Sequence, residues 1–326
     1  METITRQILC FGKLPVSGDF VRCAASGAGV QAIDAWFQKG LYAVRARMPA
    51  AFEEAYDAAP ACSFLFNPRN GAAALAGVMK PSRDRSGRRY PFLVAAELDA
   101  SLRAGREAAR IPVRFGPFFE WATDLVCEAT AGRLSHHDLP DHLEAFSSTP
   151  DEASARSADY DRFLHETPFA GFAEDIWGDA SGQRAGLLLK NLRDIVVPIR
   201  GTVPAHFALG LRFPLLREAS RRAFSASFWL EAGLRLLESP DVRPTCFWTE
   251  GEAAPHPFPF LMMYLQTPPG RAFEDLLPAA PVGERLCILD EMGVETTPDP
   301  AASLPARYAA LLGPGRVSLR DVRERL

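Results

Sequence analysis

The stretch "CSFLFNPRNGAAALAGVM", residues 62–79, decides the fold class. Two apolar runs, 62–66 and 72–79, flank the segment "NPRNG", whose Asn, Pro and Gly residues favour tight turns. Short apolar runs joined by such residues are typical of an antiparallel β-hairpin. We therefore predict a sheet that contains antiparallel neighbours.

Helical and strand-like patterns continue on both sides of this hairpin. Apolar residues recur at spacings of three and four from Val30 to Met48, which predicts one long helix that ends before Pro49. Shorter patterns predict further strands at 7–11, 90–98, 206–213, 245–248 and 258–265, and helices at 115–130, 186–197, 215–238, 273–277 and 318–326. The predicted fold is α/β: a mixed, largely antiparallel sheet covered by helices, that is, an α/β/α sandwich.

Changes in composition suggest four segments. Residues 1–131 form an N-terminal α/β portion, and the polar stretch 132–182 is predicted to be an insertion of surface helices and loops. Residues 183–277 form a C-terminal α/β portion packed on the same sheet or adjacent to it. The proline-rich tail, 278–326, is expected to be peripheral and to end in a short helix.

Composition and charge are those of a soluble globular protein. Of the 326 residues, 48% are hydrophobic and 23% charged, and the net charge is −4. Residues 1–100 carry 12 Lys and Arg against 9 Asp and Glu, whereas the rest of the chain carries 24 against 31. This balance argues against general nucleic-acid binding, which needs a large basic surface, but allows a local basic patch in the N-terminal part.

No segment indicates a membrane or an oxidising compartment. The apolar runs are far shorter than the ~18 residues of a membrane span, and the start "METITRQILCFGK" lacks the pattern of a secretory signal. The six cysteines are scattered without a CxxC pair, which disfavours disulfides and cysteine zinc sites. We expect a cytoplasmic protein without direct membrane insertion.

The segment "LCFGKLPVSGDFV", residues 9–21, resembles a phosphate-binding loop but does not fit one. A P-loop needs the pattern GxxxxGK[ST], and here Leu14 and Pro15 follow Gly12-Lys13. Pro15 also lacks the backbone N–H that a phosphate cradle would use. A nucleotide-binding P-loop is therefore excluded.

Other possible site patterns are incomplete. The segment "GAGVQA", 27–32, fits GxGxxG/A, but the preceding "VRCAAS" is only weakly strand-like, and Glu53 and Glu54 fall in helical sequence rather than at a strand end. A helix start is therefore the simpler interpretation. In "HHDLPDHLE", 136–144, the histidine spacing and Pro140 do not suit zinc and indicate a solvated helix start. No GxSxG or HExxH occurs. We therefore predict no catalytic residues, no metal and no cofactor.

The loop "PSRDRSGRRYPF", residues 81–92, concentrates positive charge. It holds four arginines, Arg83, Arg85, Arg88 and Arg89, against one carboxylate, Asp84. Arginine forks suit carboxylate and phosphate groups, and a loop held at its ends by strands presents them to a partner. The alternative is a solvated hairpin loop with a local pair between neighbours such as Arg85 and Asp84, which would contribute little energy.

Two of these segments together resemble a known family. "GKLPVSGDFVR" (12–22) and "PSRDRSGRRYPF" (81–92) are similar to the motifs GKLPxRGDFV and PSxDRxGRxYPF of the TagF, or ImpM, family of bacterial type VI secretion. Further segments also resemble that family: "FPL…SFWLEAGLRLLE" (213–238), "TCFWTEG" (245–251) and "TPPGRAFEDLL" (267–277). Ser17 and Phe247 stand where the family commonly has arginine and tryptophan.

The resemblance implies a non-enzymatic cytoplasmic accessory protein. Proteins of this family act as post-translational repressors of type VI secretion, in some systems by binding the forkhead-associated scaffold protein, and their fold is similar to longin or SNARE-like domains. The expected partners are thus cytoplasmic type VI secretion components, most of all that scaffold.

Placed on these residues, the resemblance suggests a binding surface. Gly12 and Gly18 would let the first loop turn tightly and Pro15 would stiffen it, while Asp19 would pair with an arginine of the second loop or cap the following helix. Both loops are predicted to lie at one end of the sheet. The predicted binding residues are Lys13, Asp19, Arg83, Asp84, Arg85, Arg88 and Arg89, and the predicted structural residues are Gly12, Pro15, Gly18, Pro81, Gly87 and Pro91.

Two other functions remain open. A binding protein or enzyme could use Lys13, Asp19 and the arginines around a phosphorylated small ligand. A scaffold that promotes secretion assembly would have the opposite effect on secretion from a repressor.

Overall fold

The computed structural model describes residues 5–146, 150–201, 207–249, 259–278, 285–313 and 317–326. Within these residues nine strands form one sheet: β1 (Thr5–Gly12), β2 (Val21–Cys23), β3 (Cys62–Phe66), β4 (Ala74–Lys80), β5 (Phe92–Leu98), β6 (Gly210–Pro214), β7 (Thr245–Thr249), β8 (Phe260–Tyr264) and β9 (Leu286–Ile288). Their order across the sheet is β2-β1-β5-β4-β3-β7-β8-β6-β9, and all neighbours are antiparallel except β6 and β9. The predicted mixed, largely antiparallel sheet is confirmed.

The quoted hairpin lies near the middle of this sheet. β3 and β4 pair with Phe64 opposite Gly77, and the turn between them holds "NPRNG". On its other side β3 pairs with β7, so strands of the N-terminal and C-terminal portions share one sheet. The division of the chain at residues 131, 182 and 277 stays a prediction.

Twelve α-helices accompany the strands in the described residues: α1 (Ala28–Arg47), α2 (Phe52–Ala58), α3 (Gly105–Ala109), α4 (Ile111–Arg114), α5 (Gly116–Thr130), α6 (Leu139–Ala145), α7 (Pro150–Glu166), α8 (Phe169–Trp177), α9 (Ser181–Val196), α10 (Ala219–Leu237), α11 (Ala306–Ala309) and α12 (Leu319–Arg325). The predicted helix at 273–277 is a 3-10 helix, Gly270–Leu276. The predicted strands at 206–213 and 258–265 correspond to β6 and β8, and their first residues lie outside the described residues.

Helices cover both faces of the sheet. Successive residues of β3 point to opposite sides, as in any strand. Phe64 packs in a core with Phe37 of α1 and Tyr56 of α2, whereas Leu65 belongs to the core that includes Phe118 of α5. Both cores are buried, which confirms the α/β/α sandwich. The likeness to longin or SNARE-like domains stays a prediction.

Two regions expected at the surface contribute to the interior. In the polar stretch 132–182, Tyr160 of α7 and Phe172 of α8 are fully buried. In the tail, β9 forms an edge of the sheet beside β6, and Leu289 is fully buried. These contacts place 286–289 in the sheet and core rather than at the periphery, because long-range pairing outweighs the weak local pattern.

Within the described residues, no helix combines the length and apolarity that crossing a membrane requires.

Candidate functional site

Two loops meet at one end of the sheet. The glycine loop, residues 13–20, connects β1 with β2, and the arginine loop, residues 81–91, connects β4 with β5. Because β1 and β5 are antiparallel neighbours with Gly12 opposite Phe92, the end of β1 lies beside the start of β5. The prediction that both loops lie at the same end of the sheet is confirmed.

Arginines of one loop are held by backbone carbonyls of the other. The Arg85 backbone N–H donates to the carbonyl of Ser17 at 2.9 Å, and its Nη2 donates to the carbonyl of Val16 at 2.7 Å. Arg88 Nη2 donates to the carbonyl of Gly18 at 2.8 Å. The two loops therefore form one continuous polar surface.

Asp84 organises the arginine loop from inside. Its side chain is fully buried, and Oδ2 accepts from Lys13 Nζ at 2.9 Å and from Arg88 Nε at 2.7 Å. Oδ1 accepts from the Ser86 N–H and hydroxyl at 3.0 and 2.7 Å and from the Arg88 N–H at 3.0 Å. A carboxylate that accepts this many donors fixes the backbone of residues 84–88.

These contacts set the protonation state of Asp84. Burial alone would raise the pKa of this carboxyl, but the hydrogen bonds from Lys13, Ser86 and Arg88 hold it well below its usual range. Asp84 is thus ionised at neutral pH, and its single negative charge is shared by two cations.

Arg89 connects the arginine loop to α2. Its Nε and Nη2 donate to the two carboxylate oxygens of Asp57 at 2.9 and 2.7 Å, and its Nη1 lies 2.9 Å from Glu53 Oε1. The hydrogen bonds from Arg89 lower the pKa of Asp57. Arg89 is consequently bound by two carboxylates of its own chain.

The predicted structural residues of the two loops occupy their positions for different physical reasons. Gly12 has a φ of 137°, and a Cβ there would lie 2.1 Å from the Pro91 carbonyl oxygen, so only glycine fits. Pro15 occupies the second position of a turn closed by Ser17 N–H and the Leu14 carbonyl at 3.0 Å. Gly87 has a φ of 85° and donates its N–H to the Asp84 carbonyl at 2.9 Å.

The prediction for Gly18 is wrong. Its φ is not positive, and nothing lies within 4 Å of the place that a Cβ would take. Its carbonyl, which accepts from Arg88, is a group that any residue carries. Of the two flanking prolines, Pro91 is buried and Pro81 is half-buried.

The predicted contacts of Asp19 are also wrong. This residue is exposed, and its Oδ1 accepts from the neighbouring Phe20 N–H at 3.2 Å. Among the contacts described for it there is no ion pair with the arginine loop, and α1 begins after Gly27 instead. The carboxylate that binds the basic residues is Asp84 of the arginine loop itself. Asp84 pairs with Lys13 and Arg88 rather than with Arg85.

The surface offered to a partner is therefore smaller than the predicted binding set. Arg83, Arg85 and Arg88 are exposed, Arg89 is half-buried, and Lys13 and Asp84 are buried. The exposed side chains of Arg85 and Arg88 also donate to carbonyls of the glycine loop, whereas the buried Lys13–Asp84 pair lies inside the loop.

Sequence reasoning missed the aromatic residues beside these loops. Phe20 stacks on Phe11 with ring centroids 5.5 Å apart and meets Tyr90 edge-on at 5.0 Å. Lys13 Nζ lies 5.2 Å from the centre of the Phe20 ring. Tyr42 of α1 is 79% exposed. The only signal in the sequence was that Phe20 and Tyr90 belong to the two motifs; nothing distinguished Tyr42.

The segments 27–32 and 136–144, which resembled ligand-binding motifs, form the starts of helices. Gly27 caps α1 at the segment "GAGVQA", and the preceding β2 is antiparallel to β1, which is not the arrangement of a dinucleotide site. His136 and His137 precede α6 as a helix start. In the described part of the chain, no group of three or more His, Cys, Asp or Glu residues is placed to hold a metal ion.

Comparison with known proteins identifies the part of the chain that carries both loops. The model of the TagF N-terminal domain, described as type VI secretion system-associated, matches residues 10–146. Residues 10–146 are therefore similar to the TagF N-terminal domain. The glycine loop and the arginine loop both lie inside it, and the predicted resemblance to TagF is confirmed.

A solved structure shares the overall fold. The crystal structure of PA0076 from Pseudomonas aeruginosa PAO1, at 2.05 Å resolution, superposes with a TM-score of 0.50 and 20% sequence identity, over 85% of this chain and 96% of that chain. At this identity the likeness shows the fold alone. Among curated proteins, none matches the sequence.

Proposed function

We propose that this protein is a non-enzymatic accessory protein of type VI secretion that acts in the cytoplasm. In this proposal it represses assembly of the system post-translationally by binding the forkhead-associated scaffold protein. The match to the type VI secretion system-associated TagF N-terminal domain supports a role in type VI secretion. The repressor role and the partner come from the family resemblance.

The observation that carries the proposal is a set of exposed arginines on a loop whose backbone is held by hydrogen bonds. Arg83, Arg85 and Arg88 are exposed on a loop whose backbone is bound by the buried Asp84 and by carbonyls of the glycine loop. Binding orders such a loop little further, so less free energy is lost on association. Arginine is also enriched at protein–protein interfaces.

An exposed aromatic side chain extends this surface. An open depression of about 780 Å³ separates the arginine loop from α1 and α2, and Tyr42, Arg45 and Arg88 lie along it. Arg45 lies over the ring of Phe52, with its guanidinium carbon 4.9 Å from the ring centre. Tyrosine and arginine are the residue types that contribute most at interface centres. We therefore define the recognition surface as Tyr42, Arg45, Arg83, Arg85 and Arg88.

The state of Lys13 argues against a phosphorylated small ligand. Only 7% of this residue is exposed, and its ammonium group is bound to Asp84. A phosphate that bound the Lys13 ammonium would have to compete with that carboxylate. A thermal-shift screen with inorganic phosphate and nucleotides tests this alternative, because a ligand that binds only the folded state raises the melting temperature.

Binding of the purified scaffold protein to the full chain, measured by calorimetry, tests the partner. Arg83→Glu and Tyr42→Ala should each weaken binding roughly tenfold, a loss of about 1.4 kcal/mol. Arg106→Glu is the matched control, because this exposed arginine lies on α3, which packs on α10 away from the loops. No binding by the unaltered chain would contradict the proposed partner; equal binding by all variants would contradict the surface.

The sign of regulation needs a second measurement. Deleting the gene should increase secretion if the protein is a repressor. A fall in secretion would instead support the scaffold that promotes assembly.

A further inference from the structure

Two cysteines lie directly opposite each other at the base of the glycine loop. Cys10 of β1 pairs with Cys23 of β2 in the antiparallel register, two pairs before the strands end at Gly12 and Val21. Directly opposite residues project to the same face with Cβ atoms about 4.5–5.5 Å apart. A disulfide needs Cβ atoms about 3.5–4.5 Å apart, so a small approach of the short edge strand suffices.

The two thiols already contact each other and differ in chemistry. A hydrogen bond from Cys10 lowers the pKa of Cys23, while the same contact and burial raise the pKa of Cys10. Cys23 is half-buried and Cys10 is fully buried. The Cys23 sulfur is thus both the more accessible and the more readily ionised of the two. Accessible cysteines of low pKa are the ones that react with oxidants.

We propose that Cys10 and Cys23 form a redox modification site, in which a peroxide converts the two thiols into a reversible cross-strand disulfide. Cys23 thiolate attacks one peroxide oxygen and becomes a sulfenic acid, with the other oxygen leaving as water after it takes up a proton. The Cys10 sulfur then attacks the Cys23 sulfur, and the departing hydroxyl leaves as water with the Cys10 proton. Two thiols are oxidised, and one hydrogen peroxide is reduced to two waters.

The disulfide would close the glycine loop at its base. That loop supplies the carbonyls of Val16, Ser17 and Gly18 that hold Arg85 and Arg88. A cross-link between the strands that carry the loop restricts the unfolded chain and stabilises the folded loop. This modification site does not depend on the proposed function.

The test is oxidation of the purified full chain with one equivalent of hydrogen peroxide, followed by alkylation of remaining thiols and peptide mass mapping. The expected product is a Cys10–Cys23 linked peptide, lighter by two hydrogen atoms and reversed by dithiothreitol. Cys23→Ser should abolish it, and Cys287→Ser, which changes another half-buried thiol, should not.

A second measurement covers the case in which Cys23→Ser folds poorly. The oxidised unaltered chain should melt at a higher temperature than the same chain after dithiothreitol. Full alkylation of both Cys10 and Cys23 after peroxide treatment, over-oxidation of Cys23 without a cross-link, or a cross-link between other cysteines would overturn the proposal.

Discussion

Lys13 Nζ lies 2.9 Å from Asp84 Oδ2, and this buried ion pair joins two motifs that are 71 residues apart in the sequence. The lysine of the first motif and the aspartate of the second face inward, toward each other. Arg83, Arg85 and Arg88 are exposed, and Arg88 also donates its Nε to Asp84 Oδ2 at 2.7 Å. The two motifs thus supply an internal cluster of Lys13, Asp84 and the Nε of Arg88, which shapes the loops, and exposed arginine side chains that a partner can reach.

We expect Asp84→Asn to destabilise the protein by about 3 kcal/mol, because it leaves the Lys13 ammonium buried without a counter-charge. This is the lower end of the range for a broken buried pair, since the pair lies beneath a single loop. The free energy of unfolding from urea titration measures the loss. Asp57→Asn is the control, because Asp57 is 44% exposed and should cost less than about 1 kcal/mol.

The effect of Asp84→Asn should also depend on pH. The pKa of Asp84 is lower in the folded state than in the unfolded chain, where an aspartate titrates near 3.9. Its contribution to stability is therefore complete above that pH and is lost progressively as the pH falls below about 4. The difference between the unaltered protein and Asp84→Asn should shrink from pH 7 to pH 3. A difference that stays constant would show that Asp84 does not act through its charge.

Two glycines of the first motif should respond differently to alanine. Gly12→Ala forces a Cβ to 2.1 Å from the Pro91 carbonyl oxygen at a φ of 137°, and we expect a loss of about 2 kcal/mol or more. Gly18→Ala meets no atom within 4 Å and should change stability by less than about 0.5 kcal/mol. Thermal melting of both variants checks the pair, and equal losses would contradict the assignment.

Much of the fold was predictable because its signals are local. The β3–β4 hairpin carries its turn residues in the sequence, and α1 and α5 carry continuous apolar stripes. β2 and β9 were not predicted, because each has three residues and forms by pairing with a strand far along the chain or across a loop. Such short strands exist only through tertiary contacts.

The candidate site was predictable in position but not in its internal contacts. The motifs identified both loops, and the sheet order brings them together. The sequence did not show that Asp84 rather than Asp19 would be the carboxylate inside the site, because each belongs to one of the two motifs and only the fold buries one of them. Arg83 is exposed and Lys13 is buried, and the sequence alone did not predict this difference because solvent exposure depends on the folded chain.

Asn191 gives a test of how firmly the tail is attached. Its buried Nδ2 on α9 donates to the carbonyls of Leu289 at 2.8 Å and Met292 at 2.9 Å. Asn191→Ala removes both donors, and we expect a loss of about 1–3 kcal/mol together with faster amide exchange near residue 289. Arg193→Ala on the same helix removes only a contact with its neighbour Asp194 and should be nearly neutral. Unchanged exchange in Asn191→Ala would contradict the attachment.

Glu231 should be the most sensitive charged position of the C-terminal half. It is buried on α10, where Oε1 accepts from Arg110 Nε and Oε2 from Arg323 Nη1, both at 2.8 Å. Tyr160 also donates to Oε2, at 3.3 Å. Glu231→Gln leaves two largely buried guanidinium groups without their shared charge, so we expect a loss of about 3 kcal/mol. Because Arg323 belongs to α12, this helix should also become more susceptible to protease.

Glu238→Gln, at the exposed end of α10, is the control, and its free energy of unfolding should stay within about 0.5 kcal/mol of that of the unaltered protein. If both variants unfold at the same urea concentration as the unaltered protein, Glu231 does not hold α12 to the core.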